Sequence, residues 1–342
     1  MSDWTMSPPA LPDGWTAREP DERDIAPLAM LRAAVTRAAT GGGTPSVSTV
    51  LSEVTEAGSW TRRQIVVFDP EGELRGWAAA HDRAAGRTLV HVTVDPALAE
   101  EVADGLAQAL FDWIEQAAIG FAKLRGLEGT QLDSGSYADD PRQRRWLDKS
   151  GYTPTRRWLQ MNRPITETDT DLETLPKVRE GVEVRRIRVR NNGLPVAADI
   201  QAVHWVLEAS FADHFNSYRE SFPEFAHRLQ EDPGHSWDNW WLASVEVDGK
   251  KITGGAIVAT MLTPDASGET GAYVEYIGVH RQARGRGVAK ALLATIINVA
   301  ANRGDNRVGL EVDDDSPTQA DQLYRSLGWE TSYVTESWHK EI

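Results

Sequence analysis

Gln282-Ala283-Arg284-Gly285-Arg286-Gly287-Val288-Ala289 is the run in this chain whose residue types and spacing best suit chemistry. It lies within residues 276 to 304, a stretch with no Asp or Glu that carries Arg281, Arg284, Arg286, Lys290 and Arg303, in a chain whose acids outnumber its bases 51 to 36. An apolar strand, Tyr273 to Val279, leads into the run and a long apolar helix leads out of it. Glycine lets backbone approach a ligand closely, and the first amides of a helix point outward at its positive end. Together these features form a cradle for phosphate, and the ligand they imply is a phosphorylated cofactor. The competing reading is an ordinary strand-to-helix turn with a surface arginine cluster.

The elements that must position this run occur twice. Gln64 to Phe68 leads through Asp69-Pro70-Glu71-Gly72 to Leu74 to Ala80, and Trp241 to Val247 leads through Asp248-Gly249 to Ile252 to Val258. Both patterns read as hairpins. An alternating strand follows each, Leu89 to Val94 and Tyr273 to Val279, and each feeds a helix, near residues 97 to 118 and 286 to 302. In the later helix Val288, Leu292, Leu293, Ile296, Ile297 and Ala300 share a face, and Gly304 is the stop. Each half then presents a short helix ending in an aromatic after glycine, Gly151-Tyr152 and Gly328-Trp329, and a last strand, Trp158 to Asn162 and Tyr333 to His339. Two α/β units of about 160 residues are implied by this duplication. Between them Pro164 to Gly181, acidic and without periodicity, reads as a linker. The expected division is 1–165, a linker over 166–181, and 182–342.

Composition narrows the function. With 342 residues, 41% hydrophobic content and 13 Trp, the chain is long enough for two cores. Its formal charge of -15 argues against nucleic acid and anionic membranes as partners and favours cationic or amine partners. The absence of Cys excludes disulfides, thiolate nucleophiles and Cys-based metal sites. Eight widely spaced His suggest no metal site either. No run reaches the length of a membrane span and Met1 to Pro12 has no leader pattern, so a cytoplasmic location is expected.

The order of elements, with Gln282, Gly285 and Gly287 after the fourth strand and Leu323-Tyr324-Arg325-Ser326-Leu327-Gly328-Trp329 near the end, resembles the GNAT superfamily of acyl-CoA N-acyltransferases. The second half matches across residues 182 to 342. The first matches only in outline, because it reads Asp95-Pro96-Ala97-Leu98-Ala99-Glu100-Glu101 where the motif belongs, with acids in place of glycine. The arrangement is similar to tandem GNAT proteins of the mycothiol synthase type, with a degenerate amino-terminal unit. The resemblance implies an α/β (α+β) fold of two tandem units, each with a mixed, largely antiparallel central sheet flanked by helices.

It also implies acetyl-CoA as co-substrate, with no metal, and N-acetylation of a small-molecule amine. The amides of residues 284 to 289 are expected at the diphosphate, involving Arg284, Gly285, Arg286, Gly287, Val288 and Ala289 together with Gln282. Ile277, Gly278 and Val279 are expected along the pantetheine arm, with one N–H on the thioester carbonyl. An attacking amine must be neutral, and Glu275, on the pleat face of Tyr273, Ile277 and Val279, is the candidate base. Tyr324 holds the family's position for the acid that meets the departing thiolate; the first half has Leu147 there. For Glu275 a solvated or structurally paired strand glutamate, and for Tyr324 a plain core aromatic, remain the alternatives. No Asn follows Val308 to Val312, where the family often has one, so Ser316 or Thr318 would serve as a hydroxyl or as a helix cap. Phe211, Asp213, His214 and Tyr218, in an aromatic-rich region from 205 to 241, are candidates for the acceptor site. The rival functions are protein or peptide acetylation and a non-catalytic CoA-binding sensor or scaffold. A monomer is favoured over a dimer, since the repeat would satisfy internally an interface that single units form by pairing.

Overall fold

A computed structural model describes residues 6–83, 86–212, 220–231, 233–262, 264, 268, 270–316 and 318–342. The chain divides into two compact units, one of residues 1–159, 313–318 and 333–342, the other of residues 160–312 and 319–332. The division is not sequential: the chain's final strand belongs to the first unit, where the repeat alone suggested the contiguous halves 1–165 and 182–342. A local pattern of alternation predicts that a strand forms but says nothing about which distant strand it joins.

The first unit runs β1 (Thr16–Arg18), α1 (Ile25–Thr40), α2 (Val47–Thr55), β2 (Arg62–Phe68), β3 (Leu74–Asp82), β4 (Arg87–Val94), α3 (Glu100–Leu124), β5 (Gln131–Tyr137), α4 (Pro141–Lys149) and the start of β6 (Thr153–Pro164). Its strand order is β1-β2-β3-β4-β5, followed by the chain's last strand, whose residues Thr335–Glu341 pair antiparallel with β5. All pairs are antiparallel except β4 and β5, which run parallel for only Arg87↔Gln131 to Leu89↔Asp133. Ile65, Val67, Ala78, Ala80, Val90 and Val94 form one sheet face and pack on Leu106, Leu110 and Ile114 of α3. Val66 and Trp77, on the opposite face, pack on Leu28 and Leu31 of α1. Strict alternation along β2 and β3 thus supplies two cores, one on each side of the sheet.

The second unit takes up β6 from Gln160 and continues with β7 (Val182–Arg186), α5 (Ala197–Phe211), α6 (Phe222–Gln230), β8 (Trp240–Val247), β9 (Lys250–Leu262), β10 (Gly271–Val279), α7 (Val288–Arg303), β11 (Arg307–Asp313) and α8 (Ala320–Ser326). β12 (Glu330–Glu341) closes the chain and crosses to the first unit at Tyr333. The strand order here is β6-β11-β10-β9-β8-β7, antiparallel through β7, β8, β9 and β10 and parallel at β10 and β11. One sheet face packs Ala256 and Val258 on Val203, Val206 and Leu207 of α5 and Phe225 of α6. The other face receives α7. Its approach depends on Gly254 and Gly255, where a Cβ would meet Ala283 at 3.0 Å and Val288 at 2.5 Å.

The acidic segment read as a linker folds onto the second unit. Glu167–Thr170 forms a short 3-10 turn in which Asp169 accepts from Arg163 Nη1 and Nη2 at 2.9 and 2.7 Å. Asn298 of α7 donates to the carbonyls of Asp169 and Thr170 at 3.0 Å each. Burial works against the Asp169 carboxylate, but hydrogen bonds from Arg163 and Thr166 hold it below the usual carboxylate range. Polarity signalled solvent here because a polar side chain bonded inside its own unit carries the same sequence signature as a solvated one.

Candidate active site

β10 brings the expected residues to one place through two irregularities. Its parallel pairing with β11 ends at Val274↔Leu310, so from Glu275 to Val279 that backbone edge has left its neighbour. Its pairing with β9 slips by one residue between Val274↔Ala259 and Tyr276↔Val258, which makes Glu275 a β-bulge. The bulge corrects which residues share a face with Glu275. Ile277 and Val279 pair with Ile257 and Gly255, on the side that α7 covers, whereas the Glu275 carboxylate accepts from Thr260 Oγ1 at 2.9 Å. Thr260 alternates with Val258 and Ala256 on the α5 side, and Tyr273 pairs with it directly. Glu275 therefore shares a face with Tyr273 and Tyr276, not with Ile277 and Val279. An extra residue inserted in a ladder reverses the pleat beyond it, so simple alternation fails across it.

Beyond Val279 the chain makes a 3-10 turn at Arg281–Ala283, capped by His280, whose Nδ1 accepts from the N–H of Gln282 at 3.4 Å. Gly285 and Gly287 adopt φ of 76° and 84°, a conformation that favours glycine, and α7 begins at Val288. The N–H groups of Arg284 and Arg286 are committed within the turn, to the carbonyls of Arg281 and Ala283 at 3.3 Å each. Those of Gly285, Gly287, Val288, Ala289 and Lys290 donate to no other described residue. The cradle is therefore narrower than six consecutive amides. It is also free of acids, since the first turn of α7 has none. Arginine side chains contribute less than their number suggests: Arg284 donates to the carbonyl of Ser210 at the end of α5 (3.4 Å), and Arg286 to that of Glu246 (3.3 Å). Both guanidinium groups brace backbone.

Gly278 is required by contact, because a Cβ there would meet Ser210 Oγ at 2.8 Å and Leu207 Cδ2 at 2.9 Å. The last turn of α5 thereby rests directly on β10. Phe211, half-buried, ends α5 and packs against the α5 and α6 core. Asp213, His214 and Tyr218 lie outside the described residues. Tyr324 is buried in α8, with its ring 6.1 Å from that of Trp329. Among the described residues its hydroxyl has no hydrogen-bond partner, and burial pushes it up to about 12. Ser316 and Thr318 bond each other at 3.0 Å, and Gln319 precedes α8 without a side-chain cap, so neither residue caps that helix.

Three groups near the site had no signal in the residue pattern. Thr260 donates to Glu275 from the neighbouring strand β9, a partnership that no local motif marks. Arg228 donates to Tyr276 Oη at 2.7 Å and pairs with Glu220 at 2.8 Å, linking α6 to β10 across a wide gap in sequence. Arg179 reaches the glycine turn from the segment read as a linker, donating to the carbonyl of Gly285 at 2.8 Å. No group of three or more His, Cys, Asp or Glu able to hold a metal ion occurs among the described residues. Nor is any described helix long and apolar enough to cross a membrane.

Comparison with known proteins agrees with this geometry. Residues 202–329 match the Acetyltransferase (GNAT) family. A mycothiol acetyltransferase of Kocuria rhizophila is 29% identical over 264 residues, covering 76% of each chain. The crystal structure of a GCN5-related N-acetyltransferase from Sphaerobacter thermophilus superposes with a TM-score of 0.69 at 24% identity, covering 97% of both chains. A tandem GNAT protein from the clavulanic acid biosynthesis pathway gives a TM-score of 0.66 at 13% identity, over 96% of this chain and 98% of that one. The cradle and the bulged strand thus lie inside a region that matches the GNAT acetyltransferase family, in a chain whose fold is similar over nearly its whole length to tandem GNAT proteins.

Proposed function

We propose that the second unit transfers an acetyl group from acetyl-CoA to the primary amine of a small metabolite, while the first unit serves as its structural partner. The observation that carries this reading is the row of unpartnered amides at Gly285 and Gly287 to Lys290, set at the end of a strand whose edge has opened. Such donors fit a diphosphate, and the open edge of Glu275 to Val279 fits an extended amide-bearing arm. Acetyl-CoA supplies the activated thioester. An N–H of Ile277, Gly278 or Val279 polarises its carbonyl, a contact of the kind typically worth about 3 kcal/mol in the transition state.

Glu275 takes the proton that the amine nitrogen must lose as its lone pair forms the new C–N bond. The C–S bond breaks, and Tyr324, kept neutral by burial, gives its proton to the departing sulfur. Acid surplus in the chain attracts amines. The relatives named mycothiol acetyltransferases support a small-molecule acceptor over a protein.

The test is thiol release from acetyl-CoA against a panel of amino sugars, amino acids and peptides. Glu275→Gln is expected to lower kcat by roughly 100-fold or more with acetyl-CoA binding unchanged. Turnover on peptides alone would replace the small-metabolite reading. Acetyl-CoA binding without turnover on any amine would leave a sensor.

A further inference from the structure

We propose that Arg179 is a cofactor-binding residue, supplied from outside the glycine motif, that closes over the diphosphate held by the turn at 285–290. This inference rests on the acetyl-CoA reading above. Arg179 lies three residues before β7, and its carbonyl accepts from the N–H of Val182 at 3.1 Å, where β7 starts. Upstream, buried Leu175 and the Asp169 turn against α7 anchor the segment. Its side chain crosses the cradle. A Cβ on Gly287 would meet Arg179 Cδ at 2.9 Å and Cγ at 3.0 Å, and Arg179 Nη1 donates to the carbonyl of Gly285 at 2.8 Å.

A guanidinium in this position is electrostatically out of place beside the chain's own groups. It lies beside the positive end of α7, whose first turn carries no acid, and among the described residues it has no carboxylate partner. Arginines elsewhere in this acidic chain pair readily: Arg163 with Asp169, Arg185 and Arg188 with Asp199, Arg228 with Glu220. Arg284 and Arg286, the motif's own cations, are turned to backbone carbonyls. Arg179 keeps four N–H donors beyond the one on Gly285, next to amides that themselves await an acceptor. An anion between them would relieve the repulsion and take a forked pair of bonds. The glycine at 287 then has two functions: it permits the turn, and it leaves room for the arginine stem.

Calorimetry on the full chain tests this with acetyl-CoA and with dephospho-CoA, which lacks the 3′-phosphate, at low salt and at about 1 M salt. Arg179→Ala is expected to weaken both ligands by about 10-fold at low salt, and Arg179→Lys by about 3-fold, with wild type and variants converging at high salt. Three results would overturn the assignment while wild type still binds acetyl-CoA. The variants could bind as wild type does. The deficit could persist undiminished at high salt, which is the mark of a latch on Gly285 and not of a charge contact. It could vanish with dephospho-CoA, which would move the contact to the 3′-phosphate. Failure of wild type itself to bind acetyl-CoA would instead sink the functional reading beneath it.

Discussion

At the junction of the fourth strand and the long helix, the first unit fills from within what the second leaves open. In the first, Asp95 Oδ1 accepts the N–H of Ala97 at 2.9 Å, and Asp95 Oδ2 pairs with Arg75 at 2.5 Å. Glu100 and Glu101 occupy the first turn of α3. Where β4 leaves β5, Ser134 Oγ donates to the carbonyl of Val90 at 3.1 Å. At the corresponding point of the second unit the amides are unpartnered, the helix opens without acids, and a bulge interrupts β10 at Glu275, whose carboxylate accepts from Thr260. β4 keeps an unbroken register with β3, Gly76↔Val94 to Asp82↔Thr88. An anion site disappears, on this comparison, when a chain supplies its own acceptors, and the strand beside it then needs no distortion.

The strongest way to break the contrast is to give the second unit what the first has. Gly287→Asp would place a carboxylate at the cradle in a strained conformation, and acetyl-CoA affinity is expected to fall by about 100-fold, roughly 3 kcal/mol. Titration calorimetry would read it; an affinity within a few-fold of wild type would mean that the amides do not hold the diphosphate. Next comes the acid. Tyr324 stands where the first unit has buried Leu147, and Tyr324→Phe should lower kcat by about 10-fold or more with acetyl-CoA binding retained. Since burial raises its hydroxyl to about 12, that phenol stays protonated well above neutral pH. The loss should be uniform between about pH 7 and 10, where an ordinary phenol would begin to ionise. If the mutation removed an alkaline limb from the rate profile, Tyr324 would be titrating in range and its role would need revision.

The smallest expected effect runs the other way. Asp95→Asn in the first unit removes one of the two carboxylates that hold half-buried Arg75, Asp69 being the other, and should destabilise the chain by about 1 kcal/mol in urea unfolding. It should not create a second cofactor site, because Glu100 and Glu101 remain at the head of α3. A stoichiometry of two acetyl-CoA per chain in that variant would show that one aspartate alone separates the units.

Much of the fold was legible where signals are local. Asp248 and Gly249 take φ of 51° and 72°, the left-handed pair that a tight hairpin needs, and that turn with alternation on both sides announced β8 and β9. The acid-free run announced the cradle for the same reason: glycines, strand and helix are adjacent in sequence. The bulge was hidden because one inserted residue changes no composition. Arg179 was hidden because it lies in a segment whose polarity suggested solvent. The pairing of β12 with β5 spans about two hundred residues, a distance over which no pattern of residues speaks.

That last pairing has a consequence for how the protein is made. As the chain leaves the ribosome, the first unit is almost entirely synthesised before its last strand exists, since β5 must wait for Thr335 to Glu341. Until then the edge of β5 is exposed, a surface on which nascent chains aggregate or recruit a chaperone. A nonsense codon near residue 332 would therefore injure the amino-terminal unit, far from the lesion in sequence, and leave the residues proposed for acetyl transfer translated.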